Sequence, residues 1–274
     1  MKNKGMQITT CIVLLFSLIG VLGMGIYKSN RDQDELVKLK NDYEIYINTV
    51  VKPLESEDKS DNNTGEKDDI KDKFELKDKK ILSLGDGVSK SGIYQGKVKE
   101  LTDMASVTNL ANNGLLLKEM VNNISVETLK DIDLVMIMGG TNDFTNNKII
   151  GTKADDDKKD SFYGNIQSVI NKLKSLKPEI EIVFLTPLKH GKVPNQPSYP
   201  EANNVGSKLD DYAKAIEEVC EKNSVKVIDL FNESGIESSN IAQYTTNNIM
   251  LNESGNLKVA ESISDKLKEL YNGN

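Results

Sequence analysis

The chain has 274 residues, of which 38% are hydrophobic and 28% are charged, enough for one sizeable folded domain with polar extensions. The net charge of −7 argues against a nucleic-acid partner, because proteins that bind phosphate backbones present clustered positive charge. The single histidine excludes any site that needs two, and the sequence predicts neither a metal site nor a cofactor.

The N-terminal segment is apolar and long. No charged residue lies between Lys4 and Lys28, and the apolar run 8–27 has the length at which a helix crosses a bilayer. We interpret residues 1–28 as an uncleaved membrane anchor that places the rest of the chain outside the cytoplasm, at the cell membrane. The alternative is a secretory signal with a weak cleavage site near Gly23, which would give a secreted protein.

Two polar segments separate this anchor from the folded domain. Residues 29–54 carry leucine, tyrosine and valine at helical spacing before Pro53, which predicts an amphipathic helical stalk. Weak self-association of the chain through residues 34–54 is a hypothesis that this stalk raises. Residues 55–78 are dominated by charges of both signs, which predicts a flexible linker.

From residue 79 onward, apolar stretches alternate with amphipathic ones. The apolar stretches predict five strands, over 79–87, 106–111, 132–140, 179–188 and 225–231. Helical spacing predicts helices over 161–176, 209–222 and 254–271, and the apolar face of the last comprises Leu257, Ala260, Ile263, Leu267 and Leu270. This alternation predicts an α/β domain over 79–274, with a parallel sheet covered by helices on both faces.

The segments that follow the first three strands are rich in glycine, asparagine and aspartate, and the segment that follows the fourth strand carries lysine and histidine. They are residues 85–87, 109–114, 139–143 and 186–190. In parallel sheets of this kind, ligands bind beyond the carboxyl ends of the strands. Four such segments at one edge of the sheet therefore predict a polar pocket there.

These segments, in this order, resemble the sequence blocks of the SGNH (GDSL-type) hydrolase family over essentially the whole of 79–274. The family's first block, Gly-Asp-Ser, stands here as Gly-Asp-Gly at 85–87, and Asn109 and Gly114 fit the second. The third block, Gly-x-Asn-Asp, is matched in full at 140–143, whereas the last, Asp-x-x-His, is replaced by Asn-Asn-Ile-Met at 247–250.

The resemblance implies a three-layer α/β/α sandwich with a five-stranded parallel sheet, the flavodoxin-like fold of SGNH hydrolases. It also implies a mechanism in which a serine attacks an ester carbonyl, assisted by a histidine that an aspartate orients. The three triad positions are Gly87, Asn247 and Met250 in this chain, and none of these side chains can perform the triad's chemistry. The implied oxyanion donors are the backbone N–H groups of Gly87 and Gly114 and the side-chain amide of Asn142.

We attribute the glycine at position 87 to a tight turn that needs a positive φ, which glycine adopts without strain. Ser89 and Ser91 are expected at the N-cap of the next helix, and not as substitutes for the missing nucleophile. Asp86 and Asn109 are expected at the rim of the pocket. His190 is expected at its edge, either as an exposed loop side chain or as a displaced base.

Three functional hypotheses follow. The leading one is a membrane-anchored, extracytoplasmic pseudoenzyme of this family, which binds an acylated cell-surface glycan or another envelope ligand without cleaving it. The second is a rewired hydrolase with low activity on carboxylic esters or acetylated sugars, using His190 or Ser89. The third is a structural or regulatory partner of an envelope protein, acting through residues 34–54 or the former active-site face.

Overall fold

The structure is a computed structural model, and it describes residues 74–272. The predicted anchor over 1–28, the predicted stalk over 29–54 and residues 55–73 of the predicted linker lie outside the described residues, so the interpretations given for them stay predictions. Within 74–272, no helix combines the length and the apolar character that crossing a membrane requires.

A five-stranded parallel sheet forms the centre of the domain and confirms the predicted fold class. Its strands are β1 (Lys80–Gly85), β2 (Ser106–Asn109), β3 (Leu134–Met138), β4 (Glu181–Leu185) and β5 (Lys226–Ile228), in the order β2-β1-β3-β4-β5. Each predicted apolar stretch contains one strand. The chain leaves β1 toward β2 and then returns to the other side for β3, so the carboxyl ends of β1 and β3 form the switch point where such sheets bind ligands.

Helices cover both faces of this sheet. They are α1 (Ile93–Leu101), a 3-10 helix (Leu117–Val121), α2 (Val126–Leu129), α3 (Thr141–Thr145), α4 (Phe162–Leu176), α5 (Leu209–Lys222), α6 (Leu230–Glu233), α7 (Ile241–Tyr244) and α8 (Glu253–Asn272). One face packs against α1 and α8, and the other packs against the 3-10 helix, α4 and α5. The core is therefore split into two layers by the sheet, and β1, β3 and β4 are almost wholly buried because both of their faces are covered.

The buried face of α8 differs from the predicted one. Its fully buried apolar side chains are Val259, Ala260, Ile263, Leu267 and Tyr271. Leu257 and Leu270, which the periodicity places on the same face, are 46% and 39% exposed, so this part of the prediction is wrong. Both leucines lie at the margins of the stripe that packs against α1 and the sheet, and solvent reaches them there.

The folded domain also includes residues 74–78, which the composition assigns to the linker. The rings of Phe74 and Tyr271 lie 4.7 Å apart, and Leu76 is buried in the layer that contains α1 and α8. The N–H of Asp78 donates to the carbonyl oxygen of Asp103 at 3.0 Å. The packing of these two apolar side chains is sufficient to hold this end of the charged segment against the domain.

Candidate functional site

The turn after β1 carries the first of the predicted site residues. Asp86 is buried, and its Oδ1 accepts a hydrogen bond from the N–H of Val88 at 3.0 Å. Burial raises the pKa of Asp86 to about 6, although the hydrogen bond from Val88 favours the charged form. Asp86 therefore braces the turn from beneath, and its side chain does not reach solvent at the rim.

The backbone at Gly87 does not explain the glycine. Its φ lies outside the left-handed region, which in this turn is occupied by Gly92 with a φ of 71°, so our sequence-based reason for the glycine is wrong. The neighbours restrict the position instead. A Cβ at residue 87 would lie 2.8 Å from Cε of Met250 and 3.1 Å from Oδ1 of Asn113.

The fold thus brings together the two positions that the resemblance assigns to the nucleophile and the base. Met250 lies in a loop that is closed by a bridge between Thr245 and Leu251 and by the N–H of Thr246, which donates to the carbonyl oxygen of Met250 at 2.9 Å. Its thioether end occupies the space next to Gly87. A thioether cannot take a proton from a hydroxyl group, so this contact has the location of a Ser–His pair without its chemistry.

Asn247, which the resemblance assigns to the third triad position, is turned to its own loop. Its Oδ1 accepts hydrogen bonds from the N–H of Met250 at 2.8 Å and from the N–H of Ile249 at 3.3 Å. The side chain is exposed and holds the loop in an Asx turn. An amide oxygen used in this way shapes the loop and orients no catalytic base.

The loop after β4 docks against the loop that carries Met250. The N–H of Gly191 donates to the carbonyl oxygen of Asn248 at 2.8 Å, and Nδ2 of Asn248 donates to the carbonyl oxygen of Lys192 at 2.9 Å. His190 lies in this loop but is only 2% exposed, with its ring 5.9 Å from that of Phe144 and its Nε2 without a partner among the described residues. Burial lowers its pKa. The expectation of an exposed His190 is therefore wrong, and the ring is enclosed in the domain.

The three predicted oxyanion donors lie on neighbouring segments. Nδ2 of Asn142, in the first turn of α3, donates to the carbonyl oxygen of Leu115 at 3.0 Å, which ties α3 to the loop after β2. In that loop Gly114 has a φ of 76°, a conformation that favours glycine, and it is exposed. Within residues 74–272, the backbone N–H groups of Gly87 and Gly114 and the second amide hydrogen of Asn142 donate to no acceptor.

Asp143, next to Asn142, is a second buried carboxyl group at this edge of the sheet. Its Oδ2 accepts a hydrogen bond from the N–H of Leu117 at 2.9 Å, while its Oδ1 is buried without a partner in the described part of the chain. Burial raises the pKa of Asp143 to about 6, against the opposing effects of the Leu117 N–H and of Lys148. Asp86 lies close enough for its charge to raise this pKa further.

The serines after Gly87 are not placed at a helix cap. The N-cap of α1 is Gly92, so the expectation that Ser89 or Ser91 caps this helix is wrong. Ser89 is fully buried, and its Oγ lies 2.8 Å from the phenolic oxygen of Tyr94. Ser91 is exposed, and its Oγ accepts a weak hydrogen bond from its own turn.

Asn109 braces the same turn. Its Nδ2 donates to the carbonyl oxygens of Ser89 at 3.0 Å and Lys90 at 3.3 Å, and its Oδ1 accepts from the N–H of Ala111 at 3.1 Å. With these three bonds, Asn109 fixes the segment after β2 against the turn after β1, a structural task at the base of the site.

Sequence reasoning missed a short polar chain at the outer side of the site. Nζ of Lys90 donates to Oδ1 of Asn112 at 3.1 Å, and the same oxygen accepts from the N–H of Asn113 at 3.0 Å. All three residues are exposed. The asparagines belong to a segment that the sequence marked, but no sequence signal joins them to Lys90, because the pairing depends on how two loops meet.

The residues of the candidate site reach the surface of the domain. Gly114 and Asn247 are exposed, and Gly87, Asn142 and Met250 are half-buried. Two cavities, of about 380 and 620 Å³, lie elsewhere: the first next to Leu76 and Leu101, and the second between α5, β5 and α8. Neither is lined by any residue predicted for the site.

Comparison with known proteins gives one family and a set of similar folds. Residues 86–256 match the model of the GDSL-like lipase/acylhydrolase family. No curated protein matches the chain significantly.

Solved structures share the fold over most of the domain. One crystal structure is 26% identical and aligns with a TM-score of 0.64 over 72% of this chain and 100% of its own. A lipase/acylhydrolase from Enterococcus faecalis is 17% identical, with a TM-score of 0.52 over 70% of this chain and 96% of its own. A GDSL-like lipase from Bacteroides thetaiotaomicron is 15% identical, with a TM-score of 0.51 over 70% and 89%. At their low identity, the last two show similarity of fold alone.

Proposed function

The chain belongs to the GDSL-like lipase/acylhydrolase family, and from this premise we propose that it is a catalytically inactive member that binds an acylated ligand without cleaving it. An acylated glycan of the cell surface is the leading ligand. The observation that carries the proposal is the contact between Gly87 and Met250. The two positions that must supply a nucleophile and a base lie side by side, and neither offers a group for the task.

The size of the rate loss expected without both groups supports the absence of catalysis. Removing the serine or the histidine alone from a comparable triad enzyme costs on the order of 10⁶-fold in rate. The donors that remain provide on the order of 10³-fold over water in such enzymes, and they need a nucleophile to act on. A ligand carbonyl held by Gly87, Gly114 and Asn142 is therefore expected to stay intact.

A rewired hydrolase finds little support in the geometry. Ser89 is fully buried and paired with Tyr94, so its hydroxyl group is not offered to a ligand. His190 is enclosed next to Phe144, and burial keeps its pKa low. Neither side chain replaces the missing groups without a rearrangement of the turn or of the loop after β4.

The cellular setting extends this proposal. Residues 1–28 would anchor the chain in the cell membrane with the domain outside the cytoplasm, and cleavage of that segment would instead give a secreted domain. Binding to an envelope protein through residues 34–54 or through the former active-site face is the remaining alternative. Cross-linking in intact cells separates them, since capture of the monomer alone argues against a protein partner.

The test is ester hydrolysis by the purified protein, with p-nitrophenyl acetate and an acetylated sugar as substrates. The wild type is expected to match the buffer rate. A variant with Gly87→Ser, Asn247→Asp and Met250→His is expected to gain activity, because the retained donors then have a nucleophile to assist.

Hydrolysis by the wild type that disappears in Asn142→Ala would overturn the proposal. Asn171→Ala is the matched control, because Asn171 is an exposed asparagine on α4, away from the donors. Activity lost in both variants would indicate general damage to the fold.

A further inference from the structure

We propose that the group held at the retained donors is a carboxylate, with Lys90 as its charge partner. This inference rests on the non-hydrolytic site of the proposed function, and it replaces the neutral acyl group at that site with a carboxylate. It assigns a role to Lys90 that the triad chemistry of the family does not include.

Several N–H groups of the site have no acceptor among the described residues. Gly87 and Gly114 each present an unpaired backbone N–H, and Asn142 keeps one amide hydrogen after its bond to Leu115. Hydrogen bonds to a charged acceptor are roughly twice as strong as those to a neutral one. In the family these donors bind an oxyanion that forms only during the reaction, and it does not form without a nucleophile. A ligand that carries a permanent negative charge on oxygen matches such donors best.

The exposed charges around the site have one sign. In the five segments 85–92, 109–116, 139–146, 186–192 and 245–252, the charged residues are Asp86, Lys90, Asp143, Lys189 and Lys192. Only Lys90 and Lys192 are exposed, and Lys189 is buried with its ammonium group bonded to Glu237. The next exposed acid along the chain is Glu253, at the start of α8.

Lys90 is linked to the donor region through two asparagines of the site. Its ammonium group donates to Oδ1 of Asn112, which also accepts from the N–H of Asn113. Oδ1 of Asn113 in turn lies 3.1 Å from the position that a Cβ of Gly87 would take. A ligand bound at the donors thus has the Lys90 ammonium group two side chains away, on the solvent side.

The site also contains two acids that oppose the binding of an anion. Asp86 and Asp143 are buried, and each has one oxygen bonded to a backbone N–H. Burial raises the pKa of both carboxyl groups to about 6, so each carries less than a full charge near that pH. Protonation therefore reduces their repulsion only near and below pH 6, whereas the ammonium group of Lys90 is exposed.

A carboxylate fits this chemistry better than a neutral ester. Its oxygens carry a permanent negative charge, and in the family the donors are arranged for the negative oxygen of a tetrahedral intermediate. Its charge strengthens each hydrogen bond, and it has no leaving group to lose. A surface glycan or peptide that bears a free carboxyl group meets this description.

The test follows the glycine amides of the full chain in a neutral detergent. Labelling with ¹⁵N-glycine gives 19 backbone signals, and Gly87→Ala and Gly114→Ala identify the two of interest. The probes are acetate, acetamide and inorganic phosphate. Acetate is expected to shift both signals with saturation, and acetamide to shift them only weakly at the same concentration.

The variant Lys90→Gln is expected to weaken acetate binding about threefold, the scale of one exposed charge pair. Lys97→Gln is the matched control, because Lys97 is exposed on α1 and pairs with Glu100. Its acetate affinity should equal that of the wild type. A high-salt titration should reduce the difference between the wild type and Lys90→Gln, because salt screens exposed charges.

The outcomes separate the inference from the function on which it rests. Equal shifts with acetate and acetamide, unchanged in Lys90→Gln, would overturn the carboxylate and leave a neutral acylated ligand in place. Binding of phosphate without acetate would replace the carboxylate with a phosphate group. Ester hydrolysis by the wild type would overturn the proposed function even if acetate binds, and no shift of either glycine with any probe would overturn both.

Discussion

The contact between Gly87 and Met250 makes a quantitative prediction about stability. The perturbation is Gly87→Ala, made in the wild type and in a Met250→Ala background. In the wild type the new Cβ lies 2.8 Å from Cε of Met250, which is closer than such atoms approach in folded proteins, so the thioether must shift. In the Met250→Ala background, that atom is absent.

The magnitude follows from two opposing terms. The φ of Gly87 lies outside the left-handed region, so alanine fits the backbone. Alanine should then stabilise the domain by about 0.4–1 kcal/mol, because it lowers the conformational entropy of the unfolded chain. Overpacking destabilises a folded domain, and the lowest typical cost is about 1 kcal/mol. That low value applies here because the atom that must move is the terminal atom of a flexible side chain. The net effect of Gly87→Ala on the free energy of unfolding is therefore near zero in the wild type and stabilising in the Met250→Ala background. The difference between the two effects is a coupling energy of about 1 kcal/mol.

Urea unfolding of the four proteins measures this coupling in a double-mutant cycle. The contact with Asn113 is present in both backgrounds, so it cancels. Gly96→Ala is the control, because a Cβ on Gly96 meets no atom within 4 Å, and it should stabilise α1 equally in both backgrounds. If Gly87→Ala changes the free energy of unfolding equally with and without Met250, the two former triad positions do not touch and the argument for the pseudoenzyme loses its main observation.

Three further predictions concern buried polar groups near the site. The raised pKa of Asp143 means that its carboxyl group contributes stability below pH 4 that is lost as the pH rises through about 6, so Asp143→Asn should stabilise the domain at pH 8, by at most about 3 kcal/mol, and not at pH 4. Thermal unfolding at the two pH values checks this, and an equal effect at both would contradict it. Ser89→Ala should destabilise the domain by about 1–3 kcal/mol by leaving the phenolic group of Tyr94 without its partner, with no change in the rate of p-nitrophenyl acetate hydrolysis. His190→Ala should destabilise by about 2 kcal/mol in urea unfolding, as expected for a cavity in a packed region, and a selective loss of hydrolysis without loss of stability would instead support a catalytic histidine.

Much of the fold was predictable from local pattern. Apolar runs of strand length between amphipathic segments placed all five strands and the three long helices, because a parallel sheet covered on both faces leaves continuous apolar runs in its strands. The burial of individual apolar residues at the edges of these elements was not predictable. Leu257 and Leu270 have the right period but lie off the buried stripe, and Phe74 and Leu76 pack on the domain from within a charged segment. Which apolar side chains are buried depends on the helices and strands that pack next to them.

The site shows the same division. The glycine and asparagine segments at the strand ends are visible in the sequence, since tight turns at the carboxyl edge require those residue types. The exposure of His190, the cap of α1 and the reason for the glycine at 87 were all predicted wrongly. The burial of His190 and the contact at Gly87 depend on residues distant in sequence, and the cap of α1 depends on the exact φ and ψ of a local turn.

The sequence by itself determined that this chain contains an α/β domain of the GDSL-like family, and the resemblance assigns glycine and methionine to the positions of the family's serine and histidine. Only the tertiary structure decided that Met250 fills the space next to Gly87 and that Lys90 reaches Asn112. The physical reason is that periodicity and turn chemistry are local properties of the chain. A contact between residues 163 positions apart is set instead by the order of the strands and by the packing of the loops against each other.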